Sequence, residues 1–340
     1  MALKDNLRKI LVINLGGIGD LLLSTPALRA LKNTYPAAHL SVLVSPRAGE
    51  LAKRLPFIDM AYIFHASWKT LSVLRKERFD LAVNMRTLVS QAGAMKIRAL
   101  IGIIGAKITA GRDTEGRGSF FDVKIDETAL GNKHEMEYDI ELAEKLGANV
   151  ADRTINLPIT DSDRKRVDGI LSGAGIGAGD IIIGVHPGGK KSHRWSVNRF
   201  AEAMNAIHKK INCTFIITGE SGEKDLANRL KSSVTAKVFD TTGAVDIGGL
   251  AAIIEKCNLY ITNDTASMHL AAIAGVKLMA MFGPGYLRRF DPRVLSADAV
   301  VLHKDTHCAP CDKTKCNSME CLEVIFAGEV AEAALRLLGK

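Results

Sequence analysis

One pattern constrains this chain more than any other: a short apolar run ends on glycines, a helical repeat follows, and the same order starts again halfway along. Lys9 to Leu15 (KILVINL) runs into Gly16-Gly17-Ile18-Gly19-Asp20 and then into Leu21, Leu22, Leu28 and Leu31 at helical spacing. That reads as strand, loop, helix. Pro26 falls inside the helical stretch, so the helix either begins near Ser24-Thr25 or is kinked there. His39 to Val44 (HLSVLV), Leu81 to Asn84 and Lys107 to Ala110 read as further strands. At Asp180 to His186 (DIIIGVH) the pattern restarts. Helical periodicity covers Ser196 to Lys209, Cys213 to Thr218 is a strand, and Glu223 to Leu230 begins a helix. Leu259 to Thr262 and Val276 to Phe282 are strands on either side of a helical Ser267 to Ala274. Strands alternating with helices predict parallel, doubly wound sheets.

Two such halves fit two α/β domains of about 150 to 170 residues each. The boundary is expected near Leu171 to Gly179 (LSGAGIGAG), the most glycine-rich stretch, giving domains 1–170 and 171–340. The other reading makes that stretch a loop just inside the second domain. With 47% hydrophobic and 24% charged residues the chain can bury a core, and no run approaches the roughly 18 consecutive apolar residues of a membrane span. Lys4, Arg8 and Lys9 precede an apolar run with no small-residue cleavage site after it, and the run reads as a strand, so the expected location is the cytoplasm.

The first 112 residues hold 17 Lys and Arg against 6 Asp and Glu. Nucleic acid is set aside as a partner, because aromatics are only 5% of the chain and no recognition module appears. An anionic acceptor or a phospholipid surface suits the excess; so does a merely solvated basic face.

Ligands of open parallel sheets bind where strands end and helices begin, and the sequence is unusual at three such places. Gly16-Gly17-Ile18-Gly19-Asp20 lacks the dinucleotide-binding spacing of glycines. Its glycines let a ligand approach the backbone, and Asp20 is either a catalytic carboxylate or a helix cap. His186-Pro187-Gly188-Gly189-Lys190-Lys191-Ser192-His193-Arg194-Trp195 follows a buried strand; it reads as a diphosphate cradle or as a flexible basic loop, with Trp195 packing as core. Asn263-Asp264-Thr265-Ala266-Ser267-Met268-His269 opens an alanine-rich helix. There Thr265 or Ser267 can cap the helix, and its amides either meet a pyrophosphate or form an inert cap beside a core histidine.

Together with HEMEYDIELAEKLG, TGESGEKDLANRL and CAPCDKTKCNSMECLEVI, these segments resemble glycosyltransferase family 9, the lipopolysaccharide heptosyltransferases, over nearly the whole chain. NDTASMHLAAIAG followed by FGP is the most specific piece. The resemblance implies a GT-B fold, two Rossmann-like domains facing each other across a cleft, with the acceptor on the first and the nucleotide-sugar donor on the second. It implies an inverting transfer of heptose from ADP-heptose, without an obligatory metal, to a Kdo- or heptose-bearing lipopolysaccharide core, with peripheral contact at the inner leaflet of the inner membrane. Asp20 then matches the general base, beside an acceptor-side loop of Gly16, Gly17 and Gly19. Glu223 matches the acid that holds the donor ribose, and Asp264, Thr265, Ala266 and His269 match the donor-binding segment. Two positions depart from the family: His193 stands where a lysine is usual, leaving Lys191 or Arg194 to supply the charge, and Ala266 replaces a glycine. Another GT-B transferase or epimerase with a different donor, and a nucleotide-binding module without catalysis, are the alternatives.

Cys308, Cys311, Cys316 and Cys321 have the C-x2-C-x4-C-x4-C spacing of a metal knuckle, and a structural zinc is the metal considered. Cys213 and Cys257 sit among apolar residues and read as core.

Overall fold

In a computed structural model of the chain, residues 7–177, 179–311, 313 and 315–340 are described. The first half opens with β1 (Lys9–Asn14), α1 (Ile18–Leu23), α2 (Thr25–Thr34), β2 (His39–Val44), α3 (Gly49–Arg54), β3 (Met60–Ile63), α4 (Trp68–Glu77) and β4 (Leu81–Asn84). It continues with α5 (Gln91–Ile104), β5 (Ile108–Thr114), β6 (Val123–Glu127) and α6 (Glu135–Lys145). All six strands pair in parallel, in the order β3-β2-β1-β4-β5-β6. The central strands read as unbroken runs of Leu, Ile and Val because helices cover both faces; β1, β2 and β4 are buried almost throughout.

The second half contains α7 (Asp161–Gly173), β7 (Ile182–His186), α8 (Val197–His208), β8 (Thr214–Ile217), α9 (Lys224–Ser232) and β9 (Val238–Asp240). Then come α10 (Ile247–Glu255), β10 (Leu259–Asn263), α11 (Ala266–Ile273), β11 (Leu278–Met281), α12 (Leu287–Phe290), β12 (Ala299–Leu302), α13 (Glu320–Glu323) and α14 (Ala327–Leu338). Its parallel sheet runs β12-β11-β10-β7-β8-β9, the first sheet's order repeated. Both are the doubly wound arrangement in which strand order reverses once, between β1 and β4 in one sheet and between β7 and β10 in the other.

The chain divides into two compact units: residues up to Leu157 with Arg288–Phe290, and Pro158–Leu287 with Asp291–Lys340. The boundary therefore precedes the expected 170/171. Leu171 to Gly173 closes α7, which starts from a capping box of Thr160 with Asp163 and is tied into the second unit by Arg164–Glu255 and Arg166–Asp246 ion pairs. The glycine-rich stretch is thus a helix end and the loop after it, the second of the two readings. Four strands that the sequence did not reveal, β3 and β6 in the first sheet and β9 and β12 in the second, are the edge strands. MAYI has no fully buried residue and VKIDE carries charges, so neither has the continuous apolar run of a central strand.

At Ser24 the expected break near Pro26 resolves into two helices. Pro26 lies in the first turn of α2, where a missing N–H costs nothing. No helix of the described residues is long and apolar enough to cross a membrane.

Candidate functional site

In the first unit, β1 and β4 run in register, Ile13 opposite Asn84, and both end at the point where strand order reverses. The glycine loop leaves β1 here. Asp20 is the third residue of α1, and its Oδ2 accepts the Gly17 N–H at 2.6 Å, while Oδ1 is ion-paired with Arg86, two residues beyond β4. Asp20 is therefore a helix-capping residue and also a carboxylate held at a strand-end crevice, 17% exposed. Gly16 is required by contact: a Cβ on it would stand 2.4 Å from Asp20 Oδ2. The loop is pinned by Ser45, whose hydroxyl donates to the Gly16 carbonyl at 2.5 Å, and by Asn14 Oδ1, which accepts from Gly16 N at 3.2 Å.

Behind this loop lies a buried charge cluster. Arg112, fully buried, pairs with Glu135 at 2.8 Å and with Asp139; Arg289 pairs with Glu135 at 2.6 Å. Thr87, next to Arg86, accepts from Arg112 at 3.0 Å and donates to Glu127 at 3.0 Å. Asp139 reaches the glycine loop through Ser24, whose hydroxyl bonds both to Asp139 and to the Asp20 carbonyl, the latter at 3.0 Å. Burial would raise the Glu135 carboxyl, but Arg112 and Arg289 outweigh it and hold the group at about 2. Asp139 has Arg112 but not the second arginine, and burial wins there, pushing it up to about 6. Arg86 moves the other way: burial would lower it, and the carboxylates of Asp20 and Glu135 more than offset that, so a firmly held cation faces Asp20.

In the second unit the equivalent crevice lies between β7 and β10, whose ends meet with His186 opposite Thr262. Both phosphate-binding candidates leave from this point, and Asn263 ties them together. Its Oδ1 accepts from Trp195 N at 2.9 Å, and its Nδ2 donates to the Pro187 and Gly188 carbonyls, both at 3.0 Å. Glu223 closes the loop from the other side: Oε1 accepts from Gly189 N and from Arg194 Nη2, each at 2.9 Å, while Arg194 Nε donates to the Gly189 carbonyl at 2.7 Å. Glycine leaves room for Glu223 at one position and meets a backbone requirement at the next. A Cβ on Gly188 would meet the Glu223 carboxylate at 2.3 Å; on Gly189, with φ at +109°, it would meet Thr265 Cγ2 at 2.5 Å. Buried His186 shares a 3.2 Å hydrogen bond with Thr218, and burial pulls its ring down to about 4.

Gly188, Gly189, Arg194, Glu223 and Thr265 are thus brought into one cluster. Lys191 stands exposed on the same loop. His193 and His269 are each 3% exposed, and His193 Nδ1 is bonded to Ser192 at 3.0 Å. Arg194 is committed to Glu223. Thr265 is the residue preceding α11, but its hydroxyl is shared with Thr262 and Ser267 rather than capping the helix. Asp264 carries its Oδ2 toward Gly285, and Ala266 is the first residue of α11. Trp195 is core, its Nε1 donating to the Ile325 carbonyl at 3.1 Å.

Arg86, Arg112, Glu135, Asp139 and Asn263 had no role in the sequence reading. The signal for Glu135 and Asp139 was present: two acids four apart in HEMEYD share one face of a helix. Arg86 could have been found from topology, as the cation just past the strand that lies beside β1.

All six cysteines are free thiols, Cys213 and Cys257 both buried as expected. In the cysteine-rich segment, among the described residues, donor atoms of His307, Cys308 and Glu320 gather within 4.8 Å of one another. Burial and then the neighbouring thiols of Cys308, Cys311 and Cys316 raise the Cys321 thiol, so the four spaced cysteines lie near one another. Cys321 is buried at the start of α13, and Cys316 Sγ accepts the Met319 N–H at 3.3 Å.

The sequence model of glycosyltransferase family 9 (heptosyltransferase) matches residues 67–322. Lipopolysaccharide heptosyltransferase 3 of Escherichia coli is 24% identical over 286 residues, which are 78% of this chain and 80% of that protein. The crystal structure of a family 9 glycosyl transferase from Veillonella parvula shares the fold with a TM-score of 0.80 at 23% identity, over 99% of both chains. The E. coli ADP-heptose lipopolysaccharide heptosyltransferase II does so with a TM-score of 0.74 at 21% identity, over 97% of this chain and 98% of its own. The family match covers well over half of the sequence and coincides with two doubly wound units of the GT-B kind: the chain belongs to glycosyltransferase family 9.

Proposed function

We propose that this chain is an inverting glycosyltransferase that moves a heptose from ADP-heptose to a Kdo- or heptose-bearing lipopolysaccharide core. The observation that carries this reading is the pair of strand-end crevices. One holds a carboxylate fixed by a backbone amide and an arginine; the other holds a glycine loop pinned beside a helix N-terminus. The first unit takes the acceptor and the second the donor. The acceptor hydroxyl gives its proton to Asp20 as its oxygen bonds to the anomeric carbon. The bond from that carbon to the diphosphate breaks on the opposite face, and ADP leaves with the electron pair.

Lys191 and the amides opening α11 supply positive field to the departing diphosphate, so the reading needs no metal ion. Arg194 acts by fixing Glu223, whose bonds to the loop make it a buttress of the donor site. His193 and His269 pack beneath the donor loops, with Asp264 and Ala266 shaping the turn into α11. The cysteine segment has no part in this chemistry and is proposed to be structural. The acceptor in this reading is an anionic lipid, and the enzyme works in the cytoplasm, peripherally at the inner leaflet. Names of the relatives support the donor and the acceptor: one is a lipopolysaccharide heptosyltransferase and another an ADP-heptose enzyme.

Purified protein incubated with a Kdo-bearing lipid and either ADP-heptose or UDP-sugars tests the reading by mass spectrometry. One added heptose from ADP-heptose alone is expected. Transfer from a UDP-sugar instead, or none from ADP-heptose with core acceptors, overturns it.

A further inference from the structure

The outward side of a helix in a water-soluble domain is normally polar, and α5 departs from this. Met95, Ala99 and Gly102 recur along its exposed side at helical spacing, Lys96 and Arg98 are exposed beside them, and Met95 is 71% exposed. The helix contains no acidic residue. α4 packs next to it and begins with Trp68, 81% exposed. Trp68, Leu71, Ser72, Arg75 and Lys76 of α4 line a groove of about 240 Å³ together with Ile103 of α5. The single acid of α4, Glu77, is paired with Lys9 at 2.7 Å.

An exposed tryptophan and methionine bordered by Lys69, Arg75, Lys76, Lys96 and Arg98, with no unpaired acid on either helix, match a surface that is apolar a few ångströms down and anionic on top. We propose that the α4–α5 face docks this protein on an anionic phospholipid bilayer. Trp68 and Met95 enter the headgroup–acyl boundary, where indole rings are favoured, and the five cations meet lipid phosphates. The proposal takes the membrane from the preceding reading and adds the surface that meets it. It does not depend on the donor or on the transfer chemistry.

Co-sedimentation of the full chain with vesicles of phosphatidylcholine, alone or mixed with phosphatidylglycerol, tests it without acceptor or nucleotide, so failure here leaves the transfer reading intact. Binding is expected only to the mixed vesicles and is expected to weaken with salt. Lys96→Gln with Arg98→Gln is expected to weaken it about thirtyfold, and Trp68→Ser with Met95→Ser at least about tenfold. These side chains are exposed, so melting temperatures should stay close to that of the unaltered chain. The chain has two tryptophans, and Trp195 is 1% exposed, so a blue shift of emission on adding mixed vesicles reports Trp68. Absence of binding to mixed vesicles, binding untouched by either double variant, or an unmoved emission maximum overturns the proposal. So does lipid-free association, with itself or with an acidic protein, that the same variants abolish while lipid binding persists.

Discussion

His186 shows how one buried side chain ties the donor crevice to pH. At neutral pH its ring is neutral in the fold, because burial holds it near 4, whereas the unfolded chain titrates it near 6.5. Between these values the unfolded chain carries the extra proton. The stability this residue contributes is therefore complete above about 6.5 and is lost as pH falls toward 4. His186→Gln is expected to melt with a shallower dependence on pH across that window than the unaltered chain, whatever its absolute Tm; equal slopes would remove His186 from the account. Glu223 makes a related point about reading residues from sequence. The family resemblance implies an acid that holds the donor ribose, and in the structure its Oε1 accepts from Gly189 and Arg194 and its Oε2 from the Glu220 amide at 3.0 Å. Whether a carboxylate faces a ligand or buttresses a loop depends on partners far away in sequence. In the sequence Gly188 reads as part of a diphosphate cradle or a flexible loop, and what lies against it is the Glu223 side chain.

At the scale of elements, the donor crevice is built by β7 and β10 ending level with each other and by one side chain that joins the loops beyond them. Asn263 is fully buried and makes three hydrogen bonds across this junction. Asn263→Ala leaves a buried amide and two buried carbonyls without it, and at about 1 kcal/mol or more per stranded group it should cost about 3 kcal/mol by denaturant unfolding. A cost below about 1 kcal/mol would show that the loops hold themselves. The central strands were legible because burial on both faces leaves continuous apolar runs, as in KILVIN and HLSVLV, whose ends fell within a residue of the observed ones. The edge strands β3, β6, β9 and β12 were not, since an edge strand needs only one covered flank. The domain boundary was misplaced for a local reason: glycine marks the end of α7, and a helix end looks like a linker until the ion pairs of α7 are seen.

Across the whole molecule, two units carry the same order of six parallel strands, and each has its candidate chemistry at the single reversal of that order. The duplication was visible in the sequence, as were the loops at both reversals. Their support was not. Asp20 is held by Arg86 and, through Ser24, by the Arg112–Glu135–Asp139 cluster, which assembles residues from β5, α6 and the 288–290 segment. The two acids four apart in HEMEYD were visible, but the arginines that they meet come from distant segments, and no local spacing announces those. The central claim is that Asp20 takes the acceptor's proton, and Asp20→Asn tests it most directly because asparagine keeps the size of the side chain and one acceptor oxygen, enough for either Gly17 or Arg86, but loses the base. With ADP affinity measured alongside turnover, the account predicts ADP binding within about twofold and turnover reduced by about 10²- to 10⁴-fold. Near-normal turnover with ADP binding intact would contradict it.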